Sequence, residues 1–531
     1  MDRNIARSAG IVSAAIASSR ITGLVREMAM ARLFGAGQAY DAFLLAFSIP
    51  SLARDLLAEG ALSSAFVPLF TRRLAAGKGD AAELANLVGT ALLLGVGAVC
   101  LLGILLSPQL VALLAPGFAE VPGKAELAVT LTRVMFPFLL LVALAAQAMG
   151  VLNATGSFGV PALASTWFNV GSVGVGLGLG YFAGEALGID LILAMAVGVV
   201  AGGMLQLGWQ LPSLWRAGFP FRPRWNPRDP ELRRVLALMG PAILGGAAVQ
   251  INVMVNTNLA SSITDAAGRV IDGPVSWLGY AYRFMQLPAG LFGVAIASAT
   301  LPAISRSAAV GRIREFRDTV RQSLEMILLL TIPSAAGLAI LGRSMIAAVY
   351  QSGRFTAEDT EQTAMALSGY AVGLAGYAAI KVLAPAFYAL NDARGPMLVS
   401  MLSVFINFGA AHTLVRYAGL GHAGLALATS LVALAGAVAL GALLAAKTGG
   451  IGGRRLAGNA VRIVAASAVM ALAAWASSGA VHGRLGFSRA AHLADAAITI
   501  PLAAAVYYAA CRLLRVPALA TIQQRSMLNF F

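Results

Sequence analysis

Apolar stretches about 20 residues long recur fourteen times along this chain, and that recurrence constrains the fold more than any motif does. They lie at about 9–33, 40–67, 84–106, 127–151, 158–182, 187–213, 235–262, 276–301, 322–342, 363–389, 396–416, 422–446, 460–479 and 493–513. A helix of about 20 apolar residues matches the hydrocarbon thickness of a bilayer. Inside that layer every backbone N–H and C=O must be satisfied internally, which a helix does alone. Charged residues make up 11% of the chain, against about a quarter in soluble globular domains. The expectation is an all-α integral membrane protein with 14 transmembrane helices. No connecting loop exceeds about 20 residues, which leaves no room for a soluble catalytic domain.

Loop charge sets the orientation. The connections after spans 2, 6, 8 and 12 are rich in Arg, as in TRRLAAGKGD and KTGGIGGRRL. Those after spans 3, 5, 7 and 9 lean acidic, as in GEALGID and FTAEDTEQ. Arg484 and Arg489, in the last outer loop, are the exception. Cytoplasmic loops carry the Lys/Arg excess, so both termini are expected in the cytoplasm. The same alternation accounts for the net charge of +15 without a nucleic-acid partner, for which no motif appears. Cys100 and Cys511 both sit in apolar runs and suggest no disulfide framework. GFAEVPGK at 117–124 has the wrong spacing for a phosphate loop, and Ala125 stands where Ser or Thr is needed. His412, His422, His482 and His492 fall near the expected outer face and read as interfacial polar residues rather than a metal site.

LNATGSFGVPALASTWFNVG at 152–171 echoes LNDARGPMLVSMLSVFINFG at 390–409, aligning Asn153 with Asn391, Ser165 with Ser403 and Asn169 with Asn407. IPSL at 49–52 echoes LPAG at 287–290. Matching segments lie six spans apart, which suggests two pseudo-symmetric six-helix lobes of the same orientation, as in several transporter folds. The expected division is 1–230, 231–447, and an unpaired addition of two helices over 448–531.

Charge inside the spans is the functional clue. SSRITGLVRE at 18–27 places Arg20, Arg26 and Glu27 in span 1. Span 2 carries Asp41, Arg54, Asp55 and Glu59, and span 8 carries Arg283. An Arg at the bilayer centre costs about 2.5–3.5 kcal/mol on insertion scales, so such residues face a polar interior. Arg20 and Glu27, seven apart, share a face, while Arg26 lies roughly 120° from Arg20. Gly23 leaves room for a neighbour or ligand. Pro50 and Pro288, at matching places in the repeat, are expected to bend spans 2 and 8. Arginine binds phosphate with a fixed fork and a permanent charge. Arg20, Arg26, Arg54 and Arg283 therefore suggest an anionic, phosphate-bearing substrate. The plainer alternative pairs each of them with Asp41, Asp55, Glu59 or an interfacial phosphate.

At these residues the chain resembles the MurJ (MviN) lipid II flippases of the MOP exporter superfamily. SRITGLVREMAMARLFGAGQAYDAFLLAFSIP, LLAEGALSSAFVP, QINVMVNTNLASS, LPAGLFGVAIASATLP, IPSAAGLAILG and FYALNDARGPM carry the resemblance, over about residues 5–515. It implies a bacterial inner-membrane flippase that moves undecaprenyl-pyrophosphate-linked peptidoglycan precursor outward for cell-wall synthesis and cell shape. Membrane lipids and cell-wall synthesis proteins are the implied partners. Spans 13 and 14 would line a groove for the lipid tail. The family's cavity arginines correspond to Arg20, Arg26, Arg54 and Arg283, and its helix-2 acid to Asp41. Three positions depart from the family pattern: Asp55 replaces a second base, and Tyr282 and Gln286 replace acids beside Arg283. Asn256 and Ala411, with Asn407 retained, replace the sodium-binding acids of some members, so a sodium site is expected to be weak or absent.

The resulting mechanism is alternating access. Arg20, Arg26 and Arg283 take the pyrophosphate, and Glu27 and Asp41 compete for the arginines in one state, which supplies the differential contacts that coupling requires. No cofactor is implied; membrane potential, an ion gradient or downstream consumption would drive the cycle. The rival readings are an exporter of drugs or of another lipid-linked oligosaccharide, an intramembrane enzyme, for which no paired acids or metal constellation is found, and a membrane scaffold.

Overall fold

A computed structural model describes residues 2–56 and 62–519. Among the described residues the apolar stretches lie mainly on helix, and there is no strand beyond an isolated bridge between Thr264 and Val270. Among the described residues ten helices are long and apolar enough to cross a membrane, or eleven when one bent pair counts as a single span. The chain forms two compact units, Met1–Gly273 and Pro274–Phe531.

The first unit contains α1 (Asp2–Phe34), α2 (Gln38–Arg54), α3 (Ser63–Ala76), α4 (Lys78–Leu105), the short α5 (Ser107–Leu114), α6 (Lys124–Ala154), α7 (Gly159–Leu187), α8 (Leu191–Arg216) and α9 (Pro230–Ser261). Helix α1 carries Arg20, Arg26, Glu27 and Arg32 along its second half. Helices α7 and α8 make the closest pair. A Cβ on Gly198 would run into Ser172 O, and one on Gly202 would lie 2.5 Å from Phe168 O. Small residues thus let two backbones touch, which substitutes for the hydrophobic drive that lipid does not provide. Helix α9, which the repeat places at the head of the second copy, packs against α3, α4 and α5 of the first unit. Packing and the sequence repeat divide the chain at different places.

The second unit contains α10 (Pro274–Ala309), α11 (Ile313–Tyr350), α12 (Ala357–Val372), α13 (Leu374–Ala389), α14 (Arg394–Arg416), α15 (Gly421–Thr448), α16 (Gly453–Leu485) and α17 (Arg489–Leu513). Ile304, Phe316, Val320, Leu324, Val382, Phe387 and Leu440 join α10, α11, α13 and α15 in one core. Helices α12 and α13 meet at a 43° bend. At that bend Ser430 Oγ on α15 lies 2.7 Å from Gly369 O and 3.1 Å from Tyr370 O, so it serves carbonyls that a straight helix would bond internally. The hairpin α16–α17 packs on α11 through Leu329, Ile463, Ala466 and Cys511, and Tyr507 donates to Leu329 O at 2.7 Å.

Pro50 is buried inside α2, which ends at Arg54 and passes into a wider π turn at residues 55–56. Pro288 is followed at once by a π turn over Ala289–Val294 inside α10. Proline removes one i→i−4 bond, and both π turns sit close downstream of it. In the loop after α13, Lys447 donates to Asp392 at 2.6 Å and holds that carboxyl below its ordinary range.

Candidate functional site

Helix α1 presents the first two arginines. Its placement comes from α7. Asn169, buried there, donates to Ser19 O at 3.1 Å and to Thr22 Oγ1 at 3.3 Å. Thr22 in turn donates to Ser18 O at 2.9 Å. The room that Gly23 leaves is taken by the Asn169 amide, 3.4 Å from where a Cβ would sit. A polar clasp therefore fixes the register of α1 just where its charges begin.

Arg26 is half-buried, with its guanidinium 5.3 Å from the Phe168 ring centroid and 5.9 Å from that of Phe47. Phe138 lies behind both, 5.1 Å from Phe168 and 5.7 Å from Phe47. Aromatic faces attract the planar cation without using its N–H donors. The seat thus orients the Arg26 guanidinium. Arg20, on another face of α1, is exposed and makes no ion pair among the described residues.

Arg54 is held differently. Its Nε and Nη2 both donate to Asp55 Oδ1, at 3.0 and 2.7 Å, and Gln250 Nε2 lies 3.5 Å from Asp55 Oδ2. The pairing with Asp55 that the sequence offered as the plainer alternative is present. Glu59 lies outside the described residues. Glu27, half-buried, follows Arg26 on α1.

Asp41 is engaged elsewhere. Its carboxylate, with 1% of the side chain exposed, accepts from Lys124 Nζ at 2.9 Å and from Gly273 N–H at 2.8 Å. Lys124 also donates to Asp272 at 2.7 Å and sits 4.3 Å from the Phe118 centroid. One ammonium thus ties α2, the start of α6 and the loop before α10. Sequence reasoning missed Lys124; its signal was a lone base in the acid-leaning segment FAEVPGKAE.

In the second unit Arg283 is exposed on α10. Beside it Tyr282 packs edge-on against Tyr370 at 5.5 Å. Five residues beyond Arg283 comes Pro288 with its π turn, where Gly293 abuts Lys381 of α13; a Cβ there would lie 3.1 Å from Lys381 Cδ. Lys381 is exposed within an otherwise apolar span and was also overlooked, although a single Lys in AAIKVLAPAF marks it. Asn407 and Ala411 are buried on α14, and Asn256 is half-buried on α9. Of the four histidines, His412 and His482 are partly exposed. His422 and His492 are buried; His422 Nε2 bonds Gln362 O at 2.8 Å and its ring packs on Trp277. A shell of close backbone contacts and ring packing claims them, which a hydropathy scan cannot register.

Residues 30–492 match the family model described as lipid II flippase MurJ. The chain belongs to the MurJ lipid II flippase family. Among relatives, it is 35% identical to a probable lipid II flippase MurJ of Rhizobium meliloti (strain 1021), over 94% of this chain and 92% of that one. It is 34% identical to the one of Vibrio cholerae, over 82% and 81%, and 35% identical to the lipid II flippase MurJ of Burkholderia cenocepacia, over 80% of each. The fold is similar to a solved MurJ in an inward closed conformation, with TM-score 0.76 at 24% identity over 97% of this chain and 99% of that one. It is also similar to an inward-facing multidrug-resistance MATE transporter of the MOP superfamily, with TM-score 0.63 at 16% identity over 79% and 92%.

Proposed function

We propose that this chain is a transporter, not an enzyme, and that it flips lipid II, the undecaprenyl-pyrophosphate-linked peptidoglycan precursor, from the inner to the outer leaflet of the bacterial cytoplasmic membrane. The proposed topology has fourteen spans with both termini inside, arranged as two six-helix lobes plus the α16–α17 hairpin. Family membership supports the substrate, and the seating of Arg26 is the observation that carries the chemistry. The planar guanidinium that Phe168 and Phe47 orient is the group that pairs bidentately with an anion such as pyrophosphate.

In this reading Arg20 and Arg26 on α1 and Arg283 on α10 receive the pyrophosphate during alternating access. Arg54, already partnered by Asp55, contributes charge once that pair loosens. The undecaprenyl tail stays in lipid along the α16–α17 hairpin. Asp41 acts on the first unit through Lys124 rather than as a direct rival for the arginines. The drive is membrane potential, an ion gradient or consumption of the product outside, and cell-wall synthesis proteins are the natural partners.

The test depletes the protein in its host and adds an outside-acting enzyme that cleaves lipid-linked precursor. The cleavable pool collapses on depletion, and wild type restores it while Arg26→Ala does not. An unchanged pool on depletion, in a strain shown to lack a second flippase, overturns the lipid II reading.

A further inference from the structure

The α16–α17 hairpin meets α11 around a buried polar cluster that the transport chemistry does not use. Asp495 on α17 is fully buried. Its Oδ2 accepts from Ser344 Oγ of α11 at 2.5 Å and from Ser478 Oγ of α16 at 2.8 Å. Its Oδ1 accepts from Thr499 Oγ1 at 2.7 Å. His482 Nε2 of α16 lies 3.3 Å from Oδ2. No Lys or Arg pairs with Asp495 among the described residues. Arg343 of α11 is bound to Glu361 of α12 at 3.2 Å and lies over Phe487 at 5.2 Å, and Arg489 donates to Ala348 O at 3.3 Å. Arg484, exposed, is two residues beyond His482.

The hydrogens can be placed by elimination. His482 Nδ1 is 2.9 Å from Gly486 O, and a carbonyl only accepts, so Nδ1 carries hydrogen. Ser344 has one hydrogen, and its shortest bond commits it to Asp495; His492 Nδ1, 3.3 Å from Ser344 Oγ, is then a donor. What remains is His482 Nε2, 3.3 Å from Asp495 Oδ2 and 3.1 Å from Ser344 Oγ. In a neutral ring its lone pair would face the carboxylate. Turning the Ser344 hydrogen toward it would strip Asp495 of its shortest bond. A proton on Nε2 satisfies every group at once and supplies a cation bonded to the buried Asp495 carboxylate. The cluster does not have a metal site's arrangement.

We propose that His482 is a proton-binding site whose imidazolium, held between Asp495 and Gly486 O, latches the α16–α17 hairpin to α11, so that loss of the proton loosens the latch. The site lies at the hairpin end opposite the Arg-rich loops, on the side that loop charge places outside, where protons arrive. The inference is independent of which lipid the protein moves. Ionisable groups within membrane spans mark proton and ion paths more often than they mark packing.

The chain has four histidines, so ring-15N labelling of the full-length protein in detergent or nanodiscs can resolve them. A ring with both nitrogens protonated is expected in wild type, absent in His482→Gln and lost in Asp495→Asn. Hydrogen exchange over residues 476–496, corrected for intrinsic rate, should rise several-fold as that proton leaves, and should become independent of pH in His482→Gln. A singly protonated His482 ring at pH 6, or the same corrected exchange profile in wild type and His482→Gln, overturns the proposal. If His482→Gln does not fold, His492→Gln leaves the Asp495–His482 pair intact, and its ring signal must persist.

Discussion

Replacing Lys124 by Met should cost far more stability than replacing Asp41 by Asn, although both break the same ion pair. Lys124 and Asp41 each expose 1% of their side chains. Without Lys124, Asp41 stays buried without the ammonium that neutralises it, and Asp272 loses the same cation. Orphaning one member of a buried pair costs about 3–5 kcal/mol. Asp41→Asn is gentler. The amide oxygen still accepts, and Lys124 keeps Asp272. Two charge-assisted bonds become bonds to a neutral acceptor, a loss of about 1 kcal/mol each. The expectation is roughly 4 against roughly 2 kcal/mol, and Asp41→Asn added to Lys124→Met should restore part of the loss by removing the orphaned charge. Unfolding in mixed SDS–detergent micelles, followed by tryptophan fluorescence, gives all three values. Equal costs for the two single variants, or strict additivity in the double, would show that Lys124 is solvated in a way its burial denies.

Further outcomes follow from other contacts. Arg26→Lys should lower the outward lipid II pool nearly as far as Arg26→Ala, because an ammonium loses both the planar seat on Phe168 and Phe47 and the bidentate fork; full activity of the Lys variant would reduce Arg26 to a point charge. Gly198→Leu should separate α7 from α8 and abolish thermal stability in detergent, since its Cβ alone meets Ser172 O. The Asp392–Lys447 bridge should weaken in acid. Its carboxyl is held below the ordinary value of about 3.9, so its contribution is complete above that value and fades as pH falls through the lowered one. Amide exchange at Arg394 and Gly395, whose N–H groups bond Asp392, should rise there in wild type, and Lys447→Met should remove the acid step. Ser430→Ala should cost about 1 kcal/mol at the α12–α13 bend by leaving Gly369 O without its hydroxyl donor.

Helix positions were readable in the sequence because period and length alone specify them. Among the described residues the apolar stretches lie mainly on helix, and the charges within them marked α1, α2 and α10. Partners were not readable. Nothing local links Asp41 to Lys124, 83 residues on, or Arg26 to Phe168 on α7. Lys381 and Lys124 passed unnoticed because single lysines hardly alter a hydropathy window. The bend at Gly373 has no proline; it follows from close approach to α15, which only the folded chain displays. His482 and Asp495 read as scattered polar residues near a loop until the hairpin folded them together.

The Asn169 clasp on α1 bears on how the protein enters its membrane. Helix α1 carries Arg20, Arg26, Glu27 and Arg32, and the side chain that fastens it is encoded about 150 residues later. Helix α1 packs chiefly on α7 and barely on α2. During synthesis it must wait, loosely held, until α7 and α8 arrive as a glycine-zipped pair. The segment that presents Arg20 and Arg26 is therefore made well before the helix that secures it, and a chain arrested before α7 would leave those arginines within reach of quality-control proteases.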